Sequence, residues 1–199
     1  MAVKFIAEIS SNHNGDLERC KAFIKTAADV GCWGVKFQLF KIEELFTEEV
    51  LTNSKDHSKR KNWELPIEFI PELKEYSQKH NLKFGCTPFY LDAVEELEPF
   101  VDYYKVASYE LLWLDLFKKI LATGKNLHFS TGIADIEEIR NVLELISANA
   151  PNEVVMYHCT SSYPTPLPDV NLAAIKTLRD EFHKYYSKIN ILTGLSFMS

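Results

Sequence analysis

Short apolar runs alternate along this chain with stretches whose apolar residues recur at three- and four-residue spacing. The runs lie at residues 5–10, 34–40, 83–89, 102–108, 126–132, 153–162 and 189–196. Each is brief, rich in β-branched or aromatic residues and bounded by turn residues, which predicts strands. The stretches between them predict helices. Leu17, Cys20, Phe23, Ile24, Ala27 and Ala28 fall on one helical face behind Asp16, a good N-cap, and Gly31 is placed to stop that helix. Residues 66–80 read as a helix with proline near its start, and residues 135–149 as one with a strong N-cap at Asp135. LDAVEELEPF, LDLFKKILAT and residues 169–182 complete the set. One polar stretch after the second strand, centred on TNSKDHSKRKN, reads as a solvated loop.

The strands are apolar on both faces rather than alternating, the mark of a parallel sheet covered on both sides. No GxGxxG follows the first strand and no P-loop is present, so a nucleotide-binding open sheet has little support. Polar residues recur at the C-terminal ends of the strands: Glu8 and Ser10, Lys36 and Gln38, Thr87, Lys105 and Ser108, Ser130 and Thr131, Thr160 and Ser161, Ser196. A barrel gathers such ends into one ring, where its active sites sit. The predicted fold is therefore α/β, of the (β/α)8 TIM-barrel type, one domain over residues 1–199 that ends after the seventh strand.

Composition narrows the function. The chain is 46% hydrophobic, enough for a sizeable core, and carries a net charge of −6, which argues against a nucleic-acid surface. Cys20, Cys32, Cys86 and Cys159 form no CxxC and predict reduced thiols rather than a disulfide framework or a zinc site. The N-terminus lacks a signal-peptide pattern, and no apolar run reaches the length of a membrane span. The expectation is a soluble cytoplasmic protein.

Lys36 and Lys105 stand inside apolar strands. A buried ammonium needs an anion. With the hydroxyls of Thr87, Ser108, Ser130 and Ser196 they describe a pocket for a small polyanion, such as a phosphorylated carboxylate. Glu8 and Glu110 are carboxylates at the same rim. His158 and Cys159 look like a metal or nucleophile pair, but neighbours in a strand point to opposite faces. His13 reads as a residue that shapes its loop.

At these residues the sequence resembles the sialic acid synthases, the N-acetylneuraminate synthase or NeuB-like enzymes. That family includes the legionaminic and pseudaminic acid synthases and the spore-coat polysaccharide synthases. IAEISSNHNGDLERCKAFIKTAADVGCWGVKFQLFK is similar to the family's opening, and FGCTPF, YYKVASYELLW, LHFSTGIADIEEI, HCTSSYPTP and TGLS follow in order. The resemblance implies a TIM barrel that condenses phosphoenolpyruvate with an N-acetylated amino-sugar aldehyde, typically N-acetylmannosamine, releasing phosphate by C–O cleavage. It implies a phosphoenolpyruvate site of Lys36, Thr87, Lys105, Ser108, Ser130, Ser161 and Ser196. The sugar site would include Gln38, Glu110 and Tyr163. Glu8 would lie near the reacting carbons, with Lys105 and Glu110 also catalytic.

The resemblance also implies a divalent metal, manganese or magnesium, and a homodimer. The family continues its seventh strand as GLSDHT, whose histidine ligates the metal. Here the strand reads GLSFMS, with Phe197 and Met198 at those positions. A thioether is a poor ligand for either ion. The expectation is therefore no metal ligand in this chain, an incomplete barrel without the family's C-terminal antifreeze-like domain, marginal stability and little synthase activity. Two other readings stand beside it: a non-catalytic chain that binds phosphoenolpyruvate or a full-length subunit, and a Schiff-base aldolase with Lys105 or Lys36 as nucleophile.

Overall fold

The structure is a computed structural model that describes residues 3–149, 153–162, 164–182 and 189–197. The chain divides into two compact units, Met1–Tyr103 and Tyr104–Ser199. Both repeat strand and helix in the parallel manner of the (β/α)8 class, and seven strands are described in all.

The first unit runs β1 (Ile6–Glu8), α1 (Leu17–Asp29), β2 (Gly34–Leu39), α2 (Ile42–Leu45), α3 (Glu48–Asn53), α4 (Lys55–Ser58), α5 (Ile70–Lys79), β3 (Lys83–Pro88) and α6 (Asp92–Leu97), and reaches Tyr103 at the start of β4 (Tyr103–Val106). The strands β1, β2 and β3 pair in parallel in chain order, with Glu8 opposite Lys36, Lys36 opposite Gly85 and Gln38 opposite Thr87. The Asp16 carboxylate caps α1 by accepting from Arg19 N–H at 3.1 Å, and Gly31 leaves the helix at φ 79°. β1 is shorter than predicted because Ser10 takes a φ of 51° and turns the chain out of the ladder.

Two expectations are corrected in this unit. The helix predicted over 66–80 begins as a 3-10 turn at Ile67–Phe69 and becomes α-helical only at Ile70. Pro71 is the reason: it fits the first turn of an α-helix, where its missing N–H costs nothing, and not deeper. The polar stretch around TNSKDHSKRKN is not a plain loop. Thr47 caps α3 and Ser54 caps α4, and a further 3-10 turn covers Lys59–Trp63. These helices lack an apolar stripe, so hydrophobic periodicity could not reveal them.

A close approach fixes the core here. Tyr103 crosses β3 at Gly85 and donates its hydroxyl hydrogen bond to Val35 O at 3.1 Å. A Cβ on Gly85 would sit 2.1 Å from the Tyr103 ring, so only glycine fits. Phe37 and Phe84 pack against each other with ring centroids 5.6 Å apart.

The second unit continues from β4 through α7 (Leu114–Ala122), β5 (Asn126–Ser130), α8 (Ile136–Asn149), β6 (Val154–His158), α9 (Ala173–Phe182) and β7 (Ile191–Leu195). The strands β5, β6 and β7 pair in parallel, and Ser130, Tyr157 and Gly194 stand side by side across them. α8 opens on a capping box: Asp135 Oδ1 accepts from Glu138 N–H while Glu138 Oε2 accepts from Asp135 N–H, both at 2.9 Å. It buries Ile139, Val142, Leu143 and Ile146, the spacing of one helical face. All four cysteines are free thiols, and Cys20, Cys86 and Cys159 are buried. Among the described residues no helix is long and apolar enough to cross a membrane.

Candidate active site

In the first unit the strand register gathers a charged cluster. Lys36 is buried, and its Nζ lies 2.7 Å from Glu8 Oε2 and 2.9 Å from Thr87 Oγ1. The sequence put these three residues at strand ends, and adjacent parallel strands bring them together. Glu8 is oriented further by Ser10 N–H, which donates to Oε1 at 2.9 Å. Gln38 Oε1 accepts from Ser10 Oγ at 3.2 Å. Cys86 precedes Thr87 on β3; burial, above all, pushes its thiol up to about 12, which disfavours the reactive thiolate.

In the second unit Lys105 is buried at the end of β4. Its Nζ donates to Ser130 Oγ at 2.6 Å and to Val106 O at 2.8 Å. Ser108 is also buried, and its Oγ accepts from Gly132 N–H at 3.1 Å. Ser161 Oγ is buried with no hydrogen-bond partner among the described residues. Gly132 lies between the two serines: a Cβ there would stand 2.6 Å from Ser161 Oγ and 2.9 Å from Ser108 Oγ. The Glu110 carboxyl follows Ser108 in a 3-10 turn, and its Oε2 is buried without a hydrogen bond. Burial pushes its pKa up, and its own backbone N–H and the Lys105 charge offset only part of that.

Not every predicted residue joins a cluster. Ser196 is half-buried, and its N–H donates to His158 O at 2.9 Å. Tyr163 and Met198 lie outside the described residues. Thr131 and Thr160, polar residues of the predicted ring, spend their hydroxyls on Tyr157 O and Asp169 O, which fastens loops. His13 is fully buried and accepts Gly15 N–H at Nδ1, 3.0 Å away, which shapes the turn before α1. A cavity of about 580 Å³ in this unit is lined by Thr131, Gly132, His158 and Asn171, among others, and not by Lys105, Ser108 or Ser130.

Sequence reasoning missed Gly132, Tyr157 and His128. Gly132 follows a serine–threonine pair and reads as a turn glycine. Tyr157 and His128 sit in strand interiors and read as core. The signal available for Gly132 was its place directly after a strand end rich in hydroxyls.

Among the described residues no group of three or more His, Cys, Asp or Glu could hold a metal ion. His158 Nε2 is 2.9 Å from Val170 O, which ties it to the backbone.

Comparison with known proteins follows the same lines. The NeuB family model matches residues 23–194. The N,N'-diacetyllegionaminic acid synthase of Campylobacter jejuni is 35% identical over 190 residues, covering 89% of this chain and 57% of that protein. The pseudaminic acid synthase of the same organism is 32% identical over 205 residues, covering 98% and 58%. The crystal structure of N-acetylneuraminic acid (sialic acid) synthetase from Leptospira borgpetersenii, in complex with citrate, superposes with a TM-score of 0.88 at 32% identity. That alignment covers 100% of this chain and 66% of the other. The chain spans about half the length of the curated relatives it matches. With a family model matched over most of its residues and synthases of legionaminic and pseudaminic acid among its relatives, the chain belongs to the NeuB family.

Proposed function

We propose that this chain carries the phosphoenolpyruvate-binding part of a nonulosonic acid synthase, which condenses phosphoenolpyruvate with an N-acetylated amino sugar of the N-acetylmannosamine type. The observation that carries the reading is the second unit's excess of donors. Ser130 and Ser108 are already acceptors, for Lys105 and Gly132 N–H, so their protons remain to be given. Ser161 Oγ is buried without a partner among the described residues. Three hydroxyls with protons to give, beside a buried ammonium, suit an anion with several oxygens. The citrate of the Leptospira structure is such an anion in a related protein. Lys36 and Thr87 supply a second ammonium–hydroxyl pair, held by Glu8.

In the proposed reaction C3 of phosphoenolpyruvate attacks the aldehyde carbon of the open-chain sugar, and the new C–C bond leaves a cation at C2. Water adds to C2 and loses a proton. The aldehyde oxygen gains one; the C2–O bond to phosphate then breaks, phosphate departs with the bridging oxygen, and the new C2 hydroxyl gives up its proton to become the carbonyl. Glu8, 2.7 Å from Lys36 Nζ, suits orienting the water or taking its proton. Glu110, with its raised pKa, suits giving a proton to a sugar oxygen. Gln38 and Tyr163 complete the proposed sugar contacts, and Ser196 the anion contacts. A Schiff-base reaction has less support: Lys105 Nζ donates to Ser130 Oγ and Val106 O and lies over the Tyr157 ring, an environment that favours the ammonium over the free amine that such a reaction needs.

The test is release of phosphate from phosphoenolpyruvate labelled with ¹⁸O at the bridging position, with N-acetylmannosamine, with and without Mn²⁺. Release that needs the sugar, carries the label and disappears in Lys105→Ala supports the proposal. Release without label, or unchanged in Lys105→Ala, contradicts it. A lysine adduct trapped by borohydride supports the aldolase instead.

A further inference from the structure

The two buried lysines are held in different ways. Lys36 is paired with a carboxylate, Glu8, at 2.7 Å. Lys105 donates to Ser130 Oγ and Val106 O and also lies over an aromatic face: its Nζ is 5.4 Å from the centroid of the Tyr157 ring, within the range where a π face attracts a cation. A neutral ring attracts the ammonium and leaves its charge intact.

The ring is itself fixed. The Tyr157 hydroxyl and His128 Nδ1 are 3.0 Å apart, and the two rings lie 5.7 Å apart, centroid to centroid. His128 is buried on β5, two residues before Ser130. On the other side stands Gly194, the register partner of Tyr157 on β7. A Cβ at Gly194 would lie 3.0 Å from Tyr157 Cδ1 and Cε1, so glycine leaves the ring its room. Ser130, which accepts from Lys105, is the register partner of Tyr157 on β5. The hydroxyl and the ring that meet Lys105 are thus presented by paired residues of adjacent strands.

We propose that Tyr157 is a positioning residue for Lys105: its ring face holds the ammonium in place and charged, His128 fixes the ring through its hydroxyl, and Gly194 makes the space. The proposal deepens the reading of Lys105 as an anion-binding cation and rests on it for its consequence, but its first test does not.

That test is the rate of reductive methylation of Lys105 by formaldehyde and cyanoborohydride, followed by peptide mass spectrometry. Losing the ring face favours the free amine and uncovers it, so methylation quickens. Tyr157→Phe keeps the ring and is expected to stay within about twofold of the parent. Tyr157→Leu is expected to quicken it at least about fivefold, the equivalent of about 1 kcal/mol of ring–cation attraction. Gly194→Ala, which displaces the ring without altering it, is expected to act in the same direction and decides the matter if the leucine variant does not fold. A leucine variant at the parental rate, or a phenylalanine variant as fast as leucine, overturns the proposal. Titration of the same proteins with phosphoenolpyruvate separates the two readings. Weaker binding by Tyr157→Leu than by Tyr157→Phe supports the brace. The expected methylation pattern in a parent that binds no phosphoenolpyruvate leaves the brace standing and overturns the anion site.

Discussion

At the scale of single residues, the account rests on buried cations and what meets them. A lysine inside an apolar run is visible in sequence because burying an ammonium without a partner is too costly to occur. That rule singled out Lys36 and Lys105, and the structure supplies partners for both. The companions Thr87 and Ser130 were legible too, as hydroxyls at the ends of adjacent strands. Removing one should show the same logic: Ser130→Ala takes away an oxygen that accepts from Lys105 and is expected to weaken phosphoenolpyruvate binding by about 3–10-fold, the worth of one hydrogen bond. Unchanged affinity in a folded variant would remove Ser130 from the site. Tyr157 and His128 were not legible. An aromatic residue in a strand is core far more often than it is a seat for a cation, and only the register of β5, β6 and β7 distinguishes the two.

At the scale of elements, capping and close contact decide what periodicity leaves open. The strand–helix alternation was legible throughout, because parallel strands read as solid apolar runs and their helices as one-sided stripes. The short helices α2 to α4 were not, since local caps at Thr47 and Ser54 carry them rather than an apolar face. Two elements give direct tests. Asp135→Ala removes half of the α8 capping box and is expected to cost about 1 kcal/mol, or about 2–4 °C in melting temperature. No change would mean the cap is replaced by solvent. Gly85→Ala forces a Cβ into the Tyr103 ring and breaks its hydrogen bond to Val35 O. It is expected to cost about 3 kcal/mol, from overpacking and the lost bond together. Pairing it with Tyr103→Ala, which removes the ring, should recover part of that loss in a melting experiment.

At the scale of the whole molecule, acid stability and ligand binding are the readouts. Asp102 joins α5 to β3: its Oδ2 accepts from Lys74 Nζ at 2.6 Å and from Phe84 N–H at 2.8 Å. Burial alone would raise its pKa, but these two hydrogen bonds outweigh it and hold the carboxyl below the usual range. A depressed carboxylate stabilises the fold above its unfolded pKa and loses that contribution as pH falls through its folded pKa. Asp102→Asn is therefore expected to lower the melting temperature at neutral pH by about 2–4 °C, for about 1 kcal/mol, with the gap closing as pH falls below the usual carboxylate range. A gap independent of pH would show that shape rather than charge matters. The central claim, that buried Lys105 and its neighbouring hydroxyls bind a phosphorylated carboxylate, has a more direct test. Calorimetric titration of phosphoenolpyruvate into this chain is predicted to show saturable one-site binding, weakened about 10–100-fold in a folded Lys105→Ala variant by loss of a charged hydrogen-bond donor. No saturable binding, or equal binding by the variant, would contradict it.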